Sequence, residues 1–277
     1  MIKLLLVFSI LILFQTQSSA QQRKPSTPFI LGQIDSIQST ELNETRRLNI
    51  YLPEGYSPDS ATLYPVIYLL DGSADEDFIH ISGLVQFANF SWIDMIPKSI
   101  VVGISNIDRK RDFTFPTTIK KDKKEFPTTG ASEKFIAFIE KELQPYIESH
   151  YKTSSSKMII GQSLGGLLAT EILFKKPALF NQYIIVSPSL WWDDESLFKI
   201  NPLVLNADFV QPTSVFVAVG NEGKVMIADA KKLAEILKKD PDKKLQVSFQ
   251  YFPDEDHATI LHEAVYRAFK GMKKNNK

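Results

Sequence analysis

The stretch Ile159-Ile160-Gly161-Gln162-Ser163-Leu164-Gly165-Gly166-Leu167-Leu168 decides the fold. An apolar run stops at a serine flanked by glycines, and a helical pattern begins directly after it. Gly161, Ser163 and Gly165 meet the spacing G-x-S-x-G of a nucleophile elbow, in which a buried strand turns sharply into a helix. Glycines two before and two after the serine leave out side chains that would collide in the strained turn, so the serine oxygen stands exposed above the sheet. The same spacing also fits a plain packing turn with an inert serine. The choice between them rests on whether the rest of the chain supplies partners in the right order.

Working outward, Tyr64-Pro65-Val66-Ile67-Tyr68-Leu69-Leu70 is a near-continuous apolar run ending in Asp71-Gly72, as expected of a central strand buried on both faces. Residues 99–105 form another. Residues 32–39 and 46–52 have β character, the second alternating Arg47, Asn49, Tyr51 against Leu48, Ile50, Leu52, and read as an antiparallel edge pair. From Ala131 the period becomes helical: Phe135, Ile139, Leu143 and Ile147 fall four apart, with Ser132 placed to cap the start. After the elbow come a helix over 164–176 stopped by Pro177, and strands at 183–186, 215–219 and 245–252. A helix carrying Met226, Ala230, Leu233 and Leu237 lies between the last two strands, and a final helix covers about 259–272. Residues 106–130 are an irregular polar excursion. Strands alternating with helices specify an α/β fold, a mostly parallel sheet with helices on both faces, in one domain over 29–273 without internal repeats.

Composition narrows the function classes. With 32 basic and 32 acidic residues the net charge is zero, which gives no electrostatic case for a nucleic acid partner. The absence of cysteine rules out disulfides, a thiol nucleophile, thiolate zinc sites and lipid anchoring through cysteine. No metal or cofactor is expected. Lys3, the apolar run 4–14 and Ser18-Ser19-Ala20 form a signal peptide over 1–20, cut after Ala20, with a polar leader at 21–28. An exported protein, periplasmic or extracellular and not inserted in the membrane after cleavage, is the expectation. An uncleaved anchor shares the pattern.

In a sheet of this kind functional residues gather beyond the carboxyl ends of the strands. Ser163 is one such residue. His257 stands past the strand 245–252, where a base can take the serine proton and return it to a leaving group. Glu222, in Gly220-Asn221-Glu222-Gly223, follows the strand 215–219 and suits the acid that orients the base, with Asp229, Asp254 and Asp256 as competitors. The order Ser163, Glu222, His257 is the nucleophile, acid, base order of α/β-hydrolases. His150 and His262 read as surface or packing residues, while His80 follows the loop after Asp71-Gly72 and fits either a structural role, which is favoured, or a place lining the site. Two backbone N–H groups are needed for the oxyanion. Leu164 is expected to supply one, and the loop at Gly72 or Ser73 the other. Arg109 and Arg111, beside aromatics in the 106–130 excursion, suit an anionic or aromatic substrate, while Arg111 has Asp112 as an alternative partner.

These pieces resemble the putative-esterase family, the esterase D-like branch of the α/β-hydrolases, over nearly the whole mature chain. The resemblance lies in residues 64–72, in Arg109 with Arg111-Asp112-Phe113-Thr114, in residues 161–166, in residues 219–223 and in Asp256-His257. It implies an α/β-hydrolase fold and a small-molecule ester substrate, with Ser163 as nucleophile, His257 as base and Glu222 as acid. The arginine loop looks most like that of the siderophore-esterase branch, whose arginine contacts the ligand, and this singles out Arg109. The implied substrates are siderophore trilactones or feruloyl and acetyl-sugar esters. Two other classes stay open: a non-catalytic ligand-binding protein of the same fold, and an acyltransferase that passes the acyl group to a sugar alcohol.

Overall fold

Along β3 (Tyr64–Leu69) side chains alternate between two cores. Tyr64, Val66 and Tyr68 enter one, Ile67 and Leu69 the other. Both faces are covered, which is why the run reads as continuously apolar instead of alternating. The structure, a computed structural model, describes residues 26–240 and 244–275. The expected signal peptide and residues 21–25 of the leader lie outside the described residues. The chain divides into two units, Met1–Ile30 and Leu31–Lys277. Residues 26–30 have no regular secondary structure, and every element below belongs to the second unit.

Eight strands form one sheet in the order β1-β2-β4-β3-β5-β6-β7-β8. β1 (Gln33–Ser39) and β2 (Glu44–Tyr51) pair antiparallel, and β2 pairs antiparallel with β4 (Ile100–Ile104). The remaining neighbours are parallel: β3, β5 (Thr153–Gln162), β6 (Gln182–Val186), β7 (Thr213–Gly220) and β8 (Leu245–Phe252).

On one face α1 (Phe78–Ala88) and α9 (Ile260–Asn275) bury Phe78, Ile81, Val85, Ile260, Val265 and Phe269. On the other, α4 (Ser132–Phe138), α5 (Gln144–His150), α6 (Leu164–Lys175) and α8 (Lys224–Leu237) bury Phe135, Ile147, Leu168, Ile172 and Leu233.

Two local expectations change. Ser132 does not cap α4: it is the first helical residue, Ala131 is the N-cap, and the Ser132 hydroxyl is buried with no hydrogen-bond partner among the described residues. Phe135, Ile139, Leu143 and Ile147 are all buried as expected. Their spacing of four overshoots the 3.6-residue period, and a π-helical turn at Ile139–Leu143 takes up the excess. Pro145, just beyond it, has no N–H to give to an ordinary ladder. The 106–130 excursion is also less irregular than its composition implies. It holds the short helices α2 (Arg109–Phe113) and α3 (Lys120–Glu125), and it buries Asp112, Phe113, Thr114 and Thr117.

Candidate active site

The elbow is built as its sequence requires. β5 ends at Gln162, α6 begins at Leu164, and Ser163 between them has φ 61° and ψ −120°, a region non-glycine residues occupy only when the surroundings hold them there. Those surroundings are visible. Ser163 N–H donates to Val186 O at 3.0 Å, and Ser163 O accepts from Leu167 N–H at 2.9 Å and Ser189 N–H at 3.0 Å. A Cβ on Gly161 would stand 2.4 Å from the carbonyl oxygen of Gly165, so strand and helix approach this closely only because residue 161 has no side chain. Leu164 N–H is the first of α6 and has no intrahelical acceptor, leaving it available at the positive end of the helix.

The candidate acid and base arrive on adjacent loops. Glu222 follows β7 and His257 follows β8, and the loops lock together through Asn221 N–H to Glu255 O at 2.7 Å. His257 Nδ1 lies 2.5 Å from Glu222 Oε2. Glu222 Oε1 accepts from Ser187 Oγ at 2.5 Å and from Gly220 N–H at 3.0 Å. The Glu222 side chain is 4% exposed and that of His257 48%. Burial alone would raise the Glu222 carboxyl, but the bonds from His257, Ser187 and the Gly220 N–H hold it below its ordinary value. The Gln162 side-chain amide donates to His257 O, tying the base loop to the residue before the nucleophile. Ser163, Glu222 and His257 line one cavity of about 540 Å³ with Ser189, Trp191 and Met226. Ser163 Oγ stands 3.4 Å from Ser189 Oγ.

Of the competitors, Asp229 and Asp254 do not line this cavity, while Asp256 does. Asp229 is buried in α8 and its carboxyl is pushed up to about 6, first by burial and then by Glu195. Asp256 accepts from Ala258 N–H and Thr259 N–H ahead of α9. Asp254 is exposed. His150 stacks on Tyr146, and His80 meets His262 edge-on at 5.6 Å. None of these three histidines lines the cavity.

Gly72, Ser73, Arg109 and Arg111 do not line the cavity. The Gly72 N–H is used inside the sheet, donating to Ile104 O at 3.1 Å. The Ser73 N–H meets Glu76 Oε2 at 3.3 Å, and Ser73 lines a different cleft with Arg47 and Asn49. The second oxyanion donor expected from this corner is therefore already engaged. Arg109 makes a bidentate pair with Asp71 at 2.6 and 2.8 Å, adds a bond to Gln162 O at 3.2 Å, and lies over the Phe113 ring. Arg111 binds Asp112 at 2.8 Å and Glu44 at 2.6 and 3.1 Å, in a network that includes the fully buried Arg46. Both guanidinium forks are filled by carboxylates of the protein itself, which is the geometry they match best. The sequence reading passed over Ser187, Ser189 and Trp191, although they follow the apolar run of β6 as Ser163 follows that of β5.

Among the described residues no three His, Asp or Glu side chains cluster so as to hold a metal ion, and no helix is long and apolar enough to cross a membrane.

Comparison with known proteins gives a consistent picture. The family model described as Putative esterase matches residues 39–266. The chain is similar to the ferri-bacillibactin esterase BesA of Bacillus subtilis (strain 168), 31% identical over 247 residues, covering 82% of this chain and 85% of that protein. Among solved structures it is similar to an IroE-like serine hydrolase from Shewanella oneidensis, with TM-score 0.78 and 35% identity over 89% of this chain and 81% of that one. It is also similar to the BES protein from Bacillus cereus, with TM-score 0.78 and 29% identity over 90% and 97% of the two chains.

Proposed function

The chain belongs to the putative esterase family, has the α/β-hydrolase fold and is a carboxylic ester hydrolase, and from that premise we propose that it is an exported serine esterase working through an acyl-enzyme on Ser163. What carries this is His257 Nδ1, 2.5 Å from Glu222, on the cavity that Ser163 also lines. With Nδ1–H donating to the carboxylate, Nε2 is left as the acceptor that takes the Ser163 proton while Oγ attacks the ester carbonyl. The oxyanion forms beside Leu164 N–H, at the positive end of α6. As the tetrahedral intermediate collapses, the ester C–O bond breaks, His257 gives the proton to the departing alcohol, and the acyl group stays on Oγ. Water then attacks with the same base, the acid leaves, and Ser163 is restored. Glu222, held ionised, offsets the imidazolium charge in both halves.

The substrate class we propose is siderophore esters. Two things support it: the 31% identical relative is named for ferri-bacillibactin, and the cavity has an apolar wall. Trp191 and Met226 line that wall, and Trp191 is backed by Phe126 and Trp192 at ring separations of 6.3 and 6.1 Å. Such a wall stacks on a planar aromatic group carried by the substrate.

The test is a fluorophosphonate label applied to culture fractions. It should mark Ser163 on a chain recovered from the exported fraction with Gln21 as its first residue, and Ser163→Ala should abolish both label and turnover of p-nitrophenyl acetate with the thermal midpoint nearly unchanged. Ser163→Ala turning over like the parent would refute the mechanism, and a labelled chain that keeps residues 1–20 inside the cell would refute export. Siderophore trilactones should be cleaved with higher kcat/KM than feruloyl or acetyl-sugar esters, and the reverse order would remove the substrate assignment.

A further inference from the structure

Beyond Val186 the sixth strand runs into Ser187-Pro188-Ser189, and this turn touches both ends of the relay just described. Ser187 is fully buried and has φ 44°, in the left-handed region. Its N–H donates to Ala218 O at 2.8 Å, and its hydroxyl donates to Glu222 Oε1 at 2.5 Å. Two residues on, Ser189 N–H donates to the Ser163 carbonyl at 3.0 Å. The turn therefore connects the acid to the nucleophile through three residues.

We infer that Ser187 is a positioning residue for the esterase reaction, fixing the Glu222 carboxylate so that one of its oxygens is reserved for His257. A carboxylate free to turn about its last bond presents either oxygen to the imidazole at variable angle. Here Oε1 receives two donors, Ser187 O–H and Gly220 N–H, while His257 holds Oε2. Two bonds on one oxygen set the plane of the group and aim the other. A hydroxyl facing an ionised carboxylate acts as a donor, so Ser187 favours the charged form that an imidazolium needs. Of the two donors to Oε1, only Ser187 is a side chain. It does not line the cavity, so its removal should weaken the chemical step and leave substrate binding alone.

The inference rests on Glu222 acting as the triad acid, and the experiment separates the two. On p-nitrophenyl acetate, Ser187→Ala should lower kcat about 10- to 100-fold, the range expected for losing one hydrogen bond to a buried charge, with KM within about twofold of the parent. Ser187→Gly should do the same. Glycine is at ease at φ 44°, so a Gly variant that recovers parental kcat would show that backbone strain and not the hydroxyl matters, and would overturn the inference. In a Glu222→Gln background, Ser187→Ala should cost nothing further, because a residue acting only through Glu222 has nothing left to position. Full additivity of the two losses would overturn the inference while leaving the acid in place. Parental kcat in Ser187→Ala, with Glu222→Gln strongly impaired, would do likewise. Parental kcat in Glu222→Gln would overturn the acid assignment and this inference with it.

Discussion

Glu222 is a carboxylate that burial works against and three hydrogen bonds keep ionised. Glu222→Gln preserves its shape while removing its charge, and turns the oxygen facing His257 into either an amide N–H donor or a neutral acceptor. The first collides with Nδ1–H and drives the imidazole to the wrong tautomer; the second cannot balance an imidazolium. Turnover should fall about 10³- to 10⁴-fold, the loss typical of neutralising a triad acid. A loss of less than tenfold in kcat, measured at saturating ester, would move the role to another carboxylate. The positions of the proposed relay could be read from sequence because each stands directly beyond an apolar strand: Ser163 after β5, Glu222 after β7, His257 after β8. The Arg111 to Asp112 pair could be read from sequence, but the more distant partners of the two arginines could not, for a physical reason. Which carboxylate fills a guanidinium depends on tertiary folding, and Asp71 lies 38 positions from Arg109 while Glu44 lies 67 from Arg111. The acceptors that engage the Gly72 and Ser73 N–H groups, Ile104 O and Glu76 Oε2, were hidden similarly, since they are set by strand pairing and a loop rotamer.

At the scale of elements, strands and long helices followed from period, and the pieces without a period did not. The clearest case is α7 (Trp192–Glu195), a single turn beside the cavity wall residue Trp191. Asp193, Asp194 and Glu195 have φ of 51°, 54° and 54°, three successive residues with side chains in left-handed backbone. Each such residue is strained by roughly 1–2 kcal/mol, less for Asp, which is among the residues with a Cβ that tolerate the region better. Tertiary bonds hold the turn. Asp193 accepts from Thr118 N–H at 2.6 Å, Thr118 Oγ1 at 2.9 Å and Thr117 Oγ1 at 3.0 Å, and the Trp192 ring N–H donates to Phe115 O at 2.9 Å. These bonds also pin the 106–130 excursion to the cavity wall, so that a polar stretch is ordered by contacts 75 residues away in sequence. Asp194 contributes least, its side chain 81% exposed and paired only loosely with Lys199 at 3.5 Å. Asp194→Gly should therefore relieve the backbone strain at little loss, raising stability by about 0.5–1 kcal/mol after the greater freedom of glycine in the unfolded chain is subtracted. That is a rise of roughly 1–4 °C in Tm with kcat unaltered. A lower Tm in differential scanning calorimetry would mean that the turn is not strained.

Across the whole molecule, β5, β6, β7 and β8 lie side by side, and their ends supply in turn Ser163, the Ser187 to Ser189 turn, Glu222 and His257. The relay thus spans half of the sheet, and its geometry depends on the fold staying intact as pH changes. With net charge near zero at neutral pH, long-range repulsion contributes little, and the dependence comes from individual groups whose folded values depart from the unfolded ones. Glu222 is held down, so its contribution to stability is present above the unfolded carboxylate value and is lost as pH falls through its lowered folded value. Asp229 has the opposite sign. Its carboxyl is pushed up to about 6 by burial, then by Glu195, and Oδ2 has no hydrogen-bond partner among the described residues. Between about 4 and 6 the folded state holds a proton that the unfolded state has released, so this group makes stability fall as pH rises through that window. Above pH 6 the folded protein carries a buried, poorly satisfied charge. Asp229→Asn keeps the shape and removes the ionisation. The variant should match the parent below pH 4, gain on it between 4 and 6, and exceed it by a few degrees in Tm at pH 8, with ester turnover unchanged because Asp229 lies outside the relay. Scanning calorimetry from pH 3.5 to 8 decides it: a difference that is independent of pH, or one that favours the parent at pH 8, would show that the Asp229 carboxylate is satisfied as a charge in the folded state.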